Sequence, residues 1–157
     1  MDKNIVDIKK TYLSMIENSI GSRMFQYLYI KNKKKNGSIN VVQGGQLSCA
    51  FFVSNILYFF DLIKSSHATV SGTEKDMRNS GWEEIDKPKK GAVIIWEKIK
   101  YQSDGVHSHM GFYMGGKQAI SNSFKKQVPH KHHFTYGKKS EPKYRKIKCI
   151  LWHPDLN

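Results

Sequence analysis

Cys49 has the position of a catalytic nucleophile in this sequence. It begins a segment, 49–63, whose apolar residues occupy nearly every helical face, which is typical of a buried helix with Ser48 at its N-cap. A helix N-terminus stabilises a thiolate through its dipole, and its free N–H groups can bind an oxyanion. The position therefore predicts a reactive thiol with a lowered pKa. The alternative is a small buried hydrophobe, the more common role of a free cysteine.

His109 is the best-placed base for this thiol. It opens the strand-like segment 109–114, which is followed by Gly115-Gly116 and a second segment, 117–123. Two such segments around a Gly-Gly pair predict a β-hairpin, which would hold the imidazole on a rigid element. A cysteine with a histidine base is suited to nucleophilic attack on an amide carbonyl.

The hairpin also predicts which residue orients the imidazole. A two-residue Gly-Gly turn pairs Met114 with Lys117 and sets His109 opposite Asn122. Opposed side chains on antiparallel strands lie about 5 Å apart at Cβ. Asn122 is therefore predicted to orient His109 as the third catalytic residue. A one-residue change in loop length would bring Ser121 to that face instead.

Four further histidines lie near this region of the sequence: His107, His130, His132 and His133. Imidazole is a common zinc ligand, but no cysteine or carboxylate lies near these residues at ligand spacing. A solvated polar loop is therefore favoured over a metal site, and neither a metal nor a cofactor is expected. His132 or His133 could instead orient the base, if the segment between the hairpin and Tyr136 is ordered.

The elements that must position these residues begin with helices. Apolar residues at spacings of three and four predict an amphipathic helix over 3–20. Its apolar face consists of Ile5, Ile8, Tyr12, Ile16 and Ile20. Segment 24–30 fits either a second helical piece or a short strand, and segment 69–82 contains a short helix that ends near Gly81.

Strands follow the helices. Segments 91–96 and 147–152 are rich in β-branched and aromatic residues, and the hairpin lies between them. A helical part, 1–85, before a sheet part, 88–157, predicts an α+β fold with an antiparallel sheet packed on the central helix. The length of 157 residues suits a single domain.

Cys149 is predicted to be a core residue, because it alternates with Ile147 and Leu151 in the last strand. A disulfide with Cys49 is disfavoured, since the N-terminus lacks the basic start, apolar stretch and cleavage site of an export signal.

No run of 18 apolar residues is present to span a membrane. The expected location is the cytoplasm, or outside the cell by a route that needs no signal peptide.

The net charge favours an anionic partner. Lys and Arg number 26 against 13 Asp and Glu, which gives a charge of +13. A basic nucleic-acid-binding protein is therefore the alternative to an enzyme, although the lysines are scattered between elements and no RNA-binding strand motif is present. The lysine-rich segments are 31–35, 87–90, 125–126, 138–139 and 143–148, and the first of them, with Asn36-Gly37, predicts an exposed loop.

Three blocks of the sequence, 48–53, 91–96 and 109–115, resemble the landmark blocks of the NlpC-type cysteine peptidases, a papain-like superfamily of cell-wall amidohydrolases. The resemblance covers about residues 43–125 and keeps the order of the family. It implies a papain-like fold in which Cys49 attacks an amide through a thioester intermediate. It also implies a peptidoglycan stem peptide as substrate, with contact between the basic surface and an anionic wall polymer. A noncatalytic wall-binding domain is the alternative on the same fold.

The sequence departs from the pattern of this family at three places. The usual Asp-Cys-Ser-Gly is Ser48-Cys49-Ala50-Phe51, the Asp of the Gly-Asp pair is Ala92, and the third polar residue, often His, is represented by Ser121 or Asn122. Papain-like enzymes place an oxyanion-hole side chain just upstream of the nucleophile. The candidates for it are Gln43 and Gln46.

Overall fold

The computed structural model describes residues 5–32, 37–101 and 105–157. Within these residues lie three α-helices, α1 (Ile8–Asn18), α2 (Cys49–Phe59) and α3 (Val70–Asn79). The strands are β1 (Tyr29–Asn32), β2 (Gly37–Asn40), β3 (Glu83–Glu84), β4 (Val93–Tyr101), β5 (Gly105–Gly115), β6 (Gln118–Asn122), β7 (Pro129–His133) and β8 (Ile147–Trp152). Residues 3–4 of the predicted first helix and residues 33–36 of the predicted basic loop lie outside the described residues.

Six strands form one antiparallel sheet in the order β3-β8-β4-β5-β6-β7. The predicted α+β class with an antiparallel sheet is confirmed, and the strands expected in the second half correspond to β4, β5, β6 and β8. The sequence did not predict β7, nor the separate two-stranded sheet of β1 and β2 inside the part expected to be helical. Since β1 begins at Tyr29, the strand alternative for segment 24–30 holds for its last two residues.

Helix α1 is shorter than the predicted helix. The helix begins after Asp7, which is its N-cap: the Asp7 carboxylate accepts a hydrogen bond from the Lys10 backbone N–H at 2.9 Å. Tyr12 and Ile16 are fully buried, and the Tyr12 hydroxyl donates to the Gly91 carbonyl at 2.8 Å. This bond ties α1 to the chain just before β4. The outer isoleucines of the predicted face are exposed: Ile5, Ile8 and Ile20.

Helix α2 is the buried helix that the sequence predicts. It ends at Phe59 rather than near residue 63, because the chain turns at Asp61, where φ is 55°. The Phe52 ring packs edge-on against Phe112 of β5, with centroids 5.4 Å apart. Burial of this face against the sheet fixes the N-terminal end of α2, and with it Cys49, over β5 and β6.

Ser48 occupies the N-cap position of α2, but its side chain does not cap the helix. The hydroxyl donates instead to the Phe25 carbonyl, and this bond ties the loop before α2 to the segment after α1. The predicted side-chain cap is therefore wrong. A competing carbonyl brought close by the tertiary fold takes the only hydroxyl proton of Ser48.

Cys149 is buried in β8, as predicted, and both cysteines are free thiols.

In the ranges that the structure describes, no helix is long and apolar enough to cross a membrane.

Candidate active site

Cys49 lies in the wall of a cleft of about 1330 Å³. As the first residue of α2 it is partly exposed, while the residues that follow it in the helix are mostly buried. His109 of β5 lines the same cleft, together with Gln46 from the loop before α2 and His130 from β7. The fold therefore brings the predicted nucleophile and the predicted base to one cavity. Cys49 and His109 form no direct hydrogen bond among the described residues.

The surroundings of Cys49 raise the pKa of its thiol. Loss of hydration at the sulfur is the largest cause. The backbone N–H groups of Met110 and Ala50 and the positive charge of Arg145 act in the opposite direction and only partly offset it. The prediction of a lowered thiol pKa is therefore wrong, because the N-terminus of α2 lies against the sheet rather than in water.

The pKa of His109 is shifted well below its usual value. Burial is the main cause, the positive charge of Arg145 adds to it, and His132 and His130 lower this pKa further when they are protonated. Together, the two shifts favour a neutral thiol beside a neutral imidazole at pH 7 over a preformed thiolate–imidazolium pair. An unprotonated imidazole at neutral pH is the form that a general base requires.

We expect the alkylation of Cys49 by iodoacetamide to rise with pH to a midpoint above that of an ordinary thiol, about 8.5. The reason is that only the thiolate reacts and the raised pKa delays its formation. The rate of labelling, measured by mass spectrometry between pH 6 and 10 against a cysteine-containing model peptide, tests this expectation. A midpoint below that of the peptide would show a thiolate stabilised in the free protein.

The register of the β5–β6 hairpin differs from the predicted one. The turn is formed by Gly116 and Lys117, with φ of 55° and 62°, so that Gly115 rather than Met114 precedes it. Two positive φ values are the geometry of a tight turn that matches the twist of a hairpin. An irregularity between Tyr113 and Gly115 then shifts the pairing, and Phe112 lies opposite Ile120. Phe112 and Tyr113 are therefore each one position away from their predicted partners, Ala119 and Gln118.

Asn122 consequently does not make the predicted contact with His109. Its amide is buried and donates to the Gly45 carbonyl at 2.6 Å. Gly45 lies in the loop that leads into α2, so Asn122 holds this loop against the sheet. In the structure Asn122 positions the chain before the nucleophile and does not orient the base.

Ser121 takes the place predicted for Asn122. Its hydroxyl lies 2.9 Å from His109 Nε2. Gly111 makes this approach possible, since a Cβ atom at that position would lie 2.6 Å from both the Ile120 carbonyl oxygen and the Ser121 Cβ. The His-x-Gly spacing of β5 therefore leaves room for the contact between the base and the next strand.

The same hydroxyl contacts two further side chains. His132 Nε2 lies 2.8 Å from Ser121 Oγ, and the Tyr136 hydroxyl lies 3.0 Å from it. His132 Nδ1 lies 2.8 Å from the His133 carbonyl oxygen, which can only accept. Nδ1 is therefore the protonated nitrogen of His132.

These contacts fix the tautomer of the base. Burial lowers the pKa of His132 to about 4, so this ring is neutral at pH 7 and its Nε2 must accept the proton of Ser121. The Ser121 hydroxyl has only one proton and donates it to His132. It must therefore accept hydrogen bonds from His109 Nε2–H and from the Tyr136 hydroxyl. His109 therefore carries its proton on Nε2, and its Nδ1 has a free lone pair.

In this network His132 lies on strand β7, a strand that the sequence did not predict. Ala119 lies opposite His132, and Ser121 lies opposite His130, whose Nδ1 donates to the Ser121 carbonyl at 3.2 Å. His133 contacts Thr135 through its Nδ1 instead. The sequence offered His132 or His133 as alternative residues to orient the base, and of these His132 contacts Ser121, which in turn contacts His109. No group of three or more metal-ligating side chains is found in the described ranges.

Trp96 supports the base from the other side. It is fully buried and lies opposite His109 across β4 and β5, with ring centroids 5.3 Å apart. Its indole N–H donates to the Phe134 carbonyl at 2.8 Å, which fixes the ring. The imidazole is thus held between an aromatic ring and a hydroxyl.

The two glutamines proposed for an oxyanion hole differ in position. Gln46 is partly buried and lines the cleft, whereas Gln43 is exposed and lies outside the cleft lining. Gln43 is part of a tight turn, with φ of 49°, that directs the chain towards α2. Gln46 is therefore the better placed of the two to donate a hydrogen bond to a substrate oxygen.

For a hydrolase in which His109 is the base, replacing Ser121 with alanine is expected to lower hydrolysis about ten- to a hundredfold, because the tautomer and orientation of His109 are no longer fixed. It also leaves His132 Nε2 without a donor, at a cost of about 2 kcal/mol in unfolding free energy. The pH profile of hydrolysis separates the two effects and is expected to change in this variant.

Asn122→Ala is the matched control, since it removes a buried hydrogen bond one residue away. It is expected to lower stability without moving the pH profile. A shifted profile for Asn122→Ala and an unshifted one for Ser121→Ala would restore Asn122 as the orienting residue.

The chain matches no protein-family model and no curated protein. The resemblance to NlpC-type peptidases therefore depends on the three sequence blocks, and the chemistry proposed below depends on the geometry of Cys49, His109 and Ser121.

Proposed function

We propose that this protein is a papain-like cysteine hydrolase of the NlpC type, in which Cys49 is the nucleophile and His109 the general base. The observation that carries the proposal is the set of hydrogen bonds from the His133 carbonyl through His132 and Ser121 to His109 Nε2. It leaves Nδ1 of a neutral imidazole available as a base in the cleft that Cys49 lines. A buried histidine used only for packing would be expected to have partners at both ring nitrogens, whereas His109 has a partner at Nε2 and none at Nδ1 among the described residues.

The chemistry follows from these proton positions. As Cys49 Sγ attacks the carbonyl carbon of the substrate amide, His109 Nδ1 accepts the thiol proton. The oxyanion can accept hydrogen bonds from the backbone N–H groups at the start of α2 and from the Gln46 side chain. When the C–N bond breaks, the imidazolium returns the proton to the leaving amine and a thioester remains.

Water completes the reaction. It attacks the thioester carbon and gives a proton to His109 Nδ1, the C–S bond breaks, and the thiolate takes that proton back from the imidazolium. The products are a carboxylic acid and an amine, and no redox partner is needed. Because the resting pair is neutral, we expect the proton transfer to accompany the attack rather than precede it.

The resemblance of the sequence blocks supports peptidoglycan stem peptides as the substrate. The test is the release of free amino groups from purified peptidoglycan, before and after treatment of the protein with one equivalent of iodoacetamide. A Cys149→Ser variant leaves Cys49 as the only thiol, and its activity is expected to be lost in proportion to alkylation. Full activity after complete alkylation of Cys49 would overturn the proposal.

The net charge of +13 favours a basic nucleic-acid-binding role as the alternative. That role predicts micromolar binding to arbitrary DNA that weakens steeply with salt. Competition between DNA and wall fragments is needed to distinguish this role from a side effect of the charge. A noncatalytic wall-binding domain predicts binding to peptidoglycan without any release of amino groups.

A further inference from the structure

Among the residues that the structure describes, the charged side chains that line the cleft are all positive. None of the described residues in its lining is Asp or Glu. The cationic lining residues are Lys98, Lys100, Lys125, Lys143 and Arg145. Lys143 is paired with Glu141 at 3.3 Å, whereas Lys98, Lys100 and Lys125 form no ion pair among the described residues. These last three ammonium groups are exposed and available to an anionic ligand.

The positive charge extends to the reacting atoms. Arg145 is 5% exposed, and it donates hydrogen bonds to the carbonyl oxygens of Glu97 and His107 at 3.4 and 3.0 Å. Its charge acts to lower the pKa of both the Cys49 thiol and His109, although burial raises the thiol pKa overall. A ligand with negative charge close to the scissile bond is therefore favoured electrostatically over a neutral or cationic one.

The surface around the free lysines also has an apolar component. Lys98 and Lys100 flank Ile99 on β4, and Val106 of β5 lies in the same lining. Ile99 is 39% exposed and Val106 is 57% exposed. The cleft wall near the start of α3 is uncharged and contains Thr69, Val70 and Ser71. Val106 lies opposite Lys100 on the neighbouring strand, so aliphatic surface lies beside an ammonium group. This combination complements a glutamate side chain, which has a methylene stem and a carboxylate end.

We propose that the cleft binds an acidic peptide segment, with carboxylate side chains against Lys98 and Lys100 and the scissile amide at Cys49. This inference rests on the proposed function, because it names the substrate class of that site. It restricts the substrate to peptides with carboxylates near the scissile bond and disfavours peptides with lysine there.

Two fluorescein-labelled hexapeptides test the inference, one of alternating Ala and Glu and the other of alternating Ala and Gln. The protein is the full chain carrying Cys49→Ala, so that no peptide is cleaved, and binding is followed by fluorescence anisotropy in low salt. The Glu peptide is expected to bind at least about tenfold more tightly than the Gln peptide. Lys98→Gln with Lys100→Gln is expected to weaken the Glu peptide about fivefold.

The matched control is Lys10→Gln with Lys75→Gln, which removes the same charge from α1 and α3 outside the cleft. It is expected to weaken binding of the Glu peptide by less than about twofold. Equal losses in the two double variants, or equal affinity for the Glu and Gln peptides, would overturn the inference. Tighter binding of a single-stranded oligonucleotide, with the same dependence on Lys98 and Lys100, would replace it with a nucleic-acid site.

Failure of this inference and failure of the proposed function give different results. The binding experiment needs no catalysis, so an inactive wild-type protein that still prefers the Glu peptide contradicts only the hydrolase proposal. A wild-type protein that releases amino groups but shows no Glu preference contradicts only the assignment of the acidic substrate.

Discussion

Replacing Cys49 with alanine is expected to lower the proposed hydrolysis of peptidoglycan by at least about a thousandfold, because it removes the thiol that forms the thioester. The melting temperature is expected to change little. Cys49 lies in the cleft wall at the first position of α2, where the residue is partly exposed and alanine is a good helix former. Release of amino groups and thermal unfolding, measured on the same preparation, test both statements.

His109→Gln is expected to cause a loss of similar size, since it removes the base but retains a polar side chain between Trp96 and Ser121. The double variant Cys49→Ala/His109→Gln is expected to be no slower than either single variant, because residues that act as one unit have non-additive effects. Additive losses would indicate that the two side chains act independently. A large drop in melting temperature for Cys49→Ala with retained hydrolysis would assign Cys49 to the core.

Gly111→Ala is expected to have the largest effect on stability of the changes considered, about 3 kcal/mol of unfolding free energy, because it overpacks a buried position. The added Cβ would lie 2.6 Å from the Ile120 carbonyl oxygen and from the Ser121 Cβ, and both belong to the neighbouring strand. To relieve this contact, β5 and β6 must separate, which lengthens the bond between Ser121 and His109. Hydrolysis is therefore expected to fall even at temperatures where the variant is folded.

Gly116→Ala is the control for this change. Gly116 lies in the turn with φ of 55°, and a Cβ there meets no atom within 4 Å. Its cost is expected to be about 1 kcal/mol, from backbone strain alone, with hydrolysis unchanged. Both variants are compared by denaturant unfolding and by amino-group release. The comparison separates the strain of replacing a glycine from the close contact that a Cβ at position 111 makes with Ser121. Equal stability losses for both variants would contradict the role assigned to Gly111.

The sequence predicted the elements that carry Cys49 and His109, because each has a strong local signal. Fifteen residues without Gly or Pro and with apolar residues on every face specify a buried helix, and Gly115-Gly116 between strand-like segments specifies a hairpin. These signals are local and do not depend on the rest of the fold. They identify the elements that carry the proposed nucleophile and base, and the tertiary fold brings both residues to one cleft.

The third residue could not be predicted with the same certainty. Either Gly115-Gly116 or Gly116-Lys117 can form a two-residue turn, and the choice moves every residue of β6 relative to β5. The change of turn alone moves the pairing by two residues and keeps each side chain on its face. The irregularity between Tyr113 and Gly115 reduces this shift to one residue, which changes the face, and no local pattern indicates it. Ser121 and Asn122 exchange roles as a result.

Strand β7 and the thiol pKa were missed for a different reason, since both depend on tertiary contacts. The segment Pro129–His133 has no apolar alternation, and pairing with β6 makes it a strand. The helix N-terminus favours a thiolate, but the packing of α2 on the sheet removes water from the sulfur, and this effect is larger. Neither contact is visible in a local stretch of sequence.

The position of β7 at the edge of the six-stranded sheet has a consequence for how the protein loses activity on heating. Among the described residues, strand β7 pairs with one neighbouring strand only, and on its other side it accepts a single backbone hydrogen bond at Pro129, from the Gly21 N–H at 2.9 Å, so it opens by local unfolding at a lower free energy than the central strands. Each opening of β7 withdraws His132 from Ser121 while Cys49 and His109 stay in place on α2 and β5. Amide hydrogen exchange in β7 and thermal inactivation should therefore follow the same temperature dependence, below the temperature at which the core unfolds.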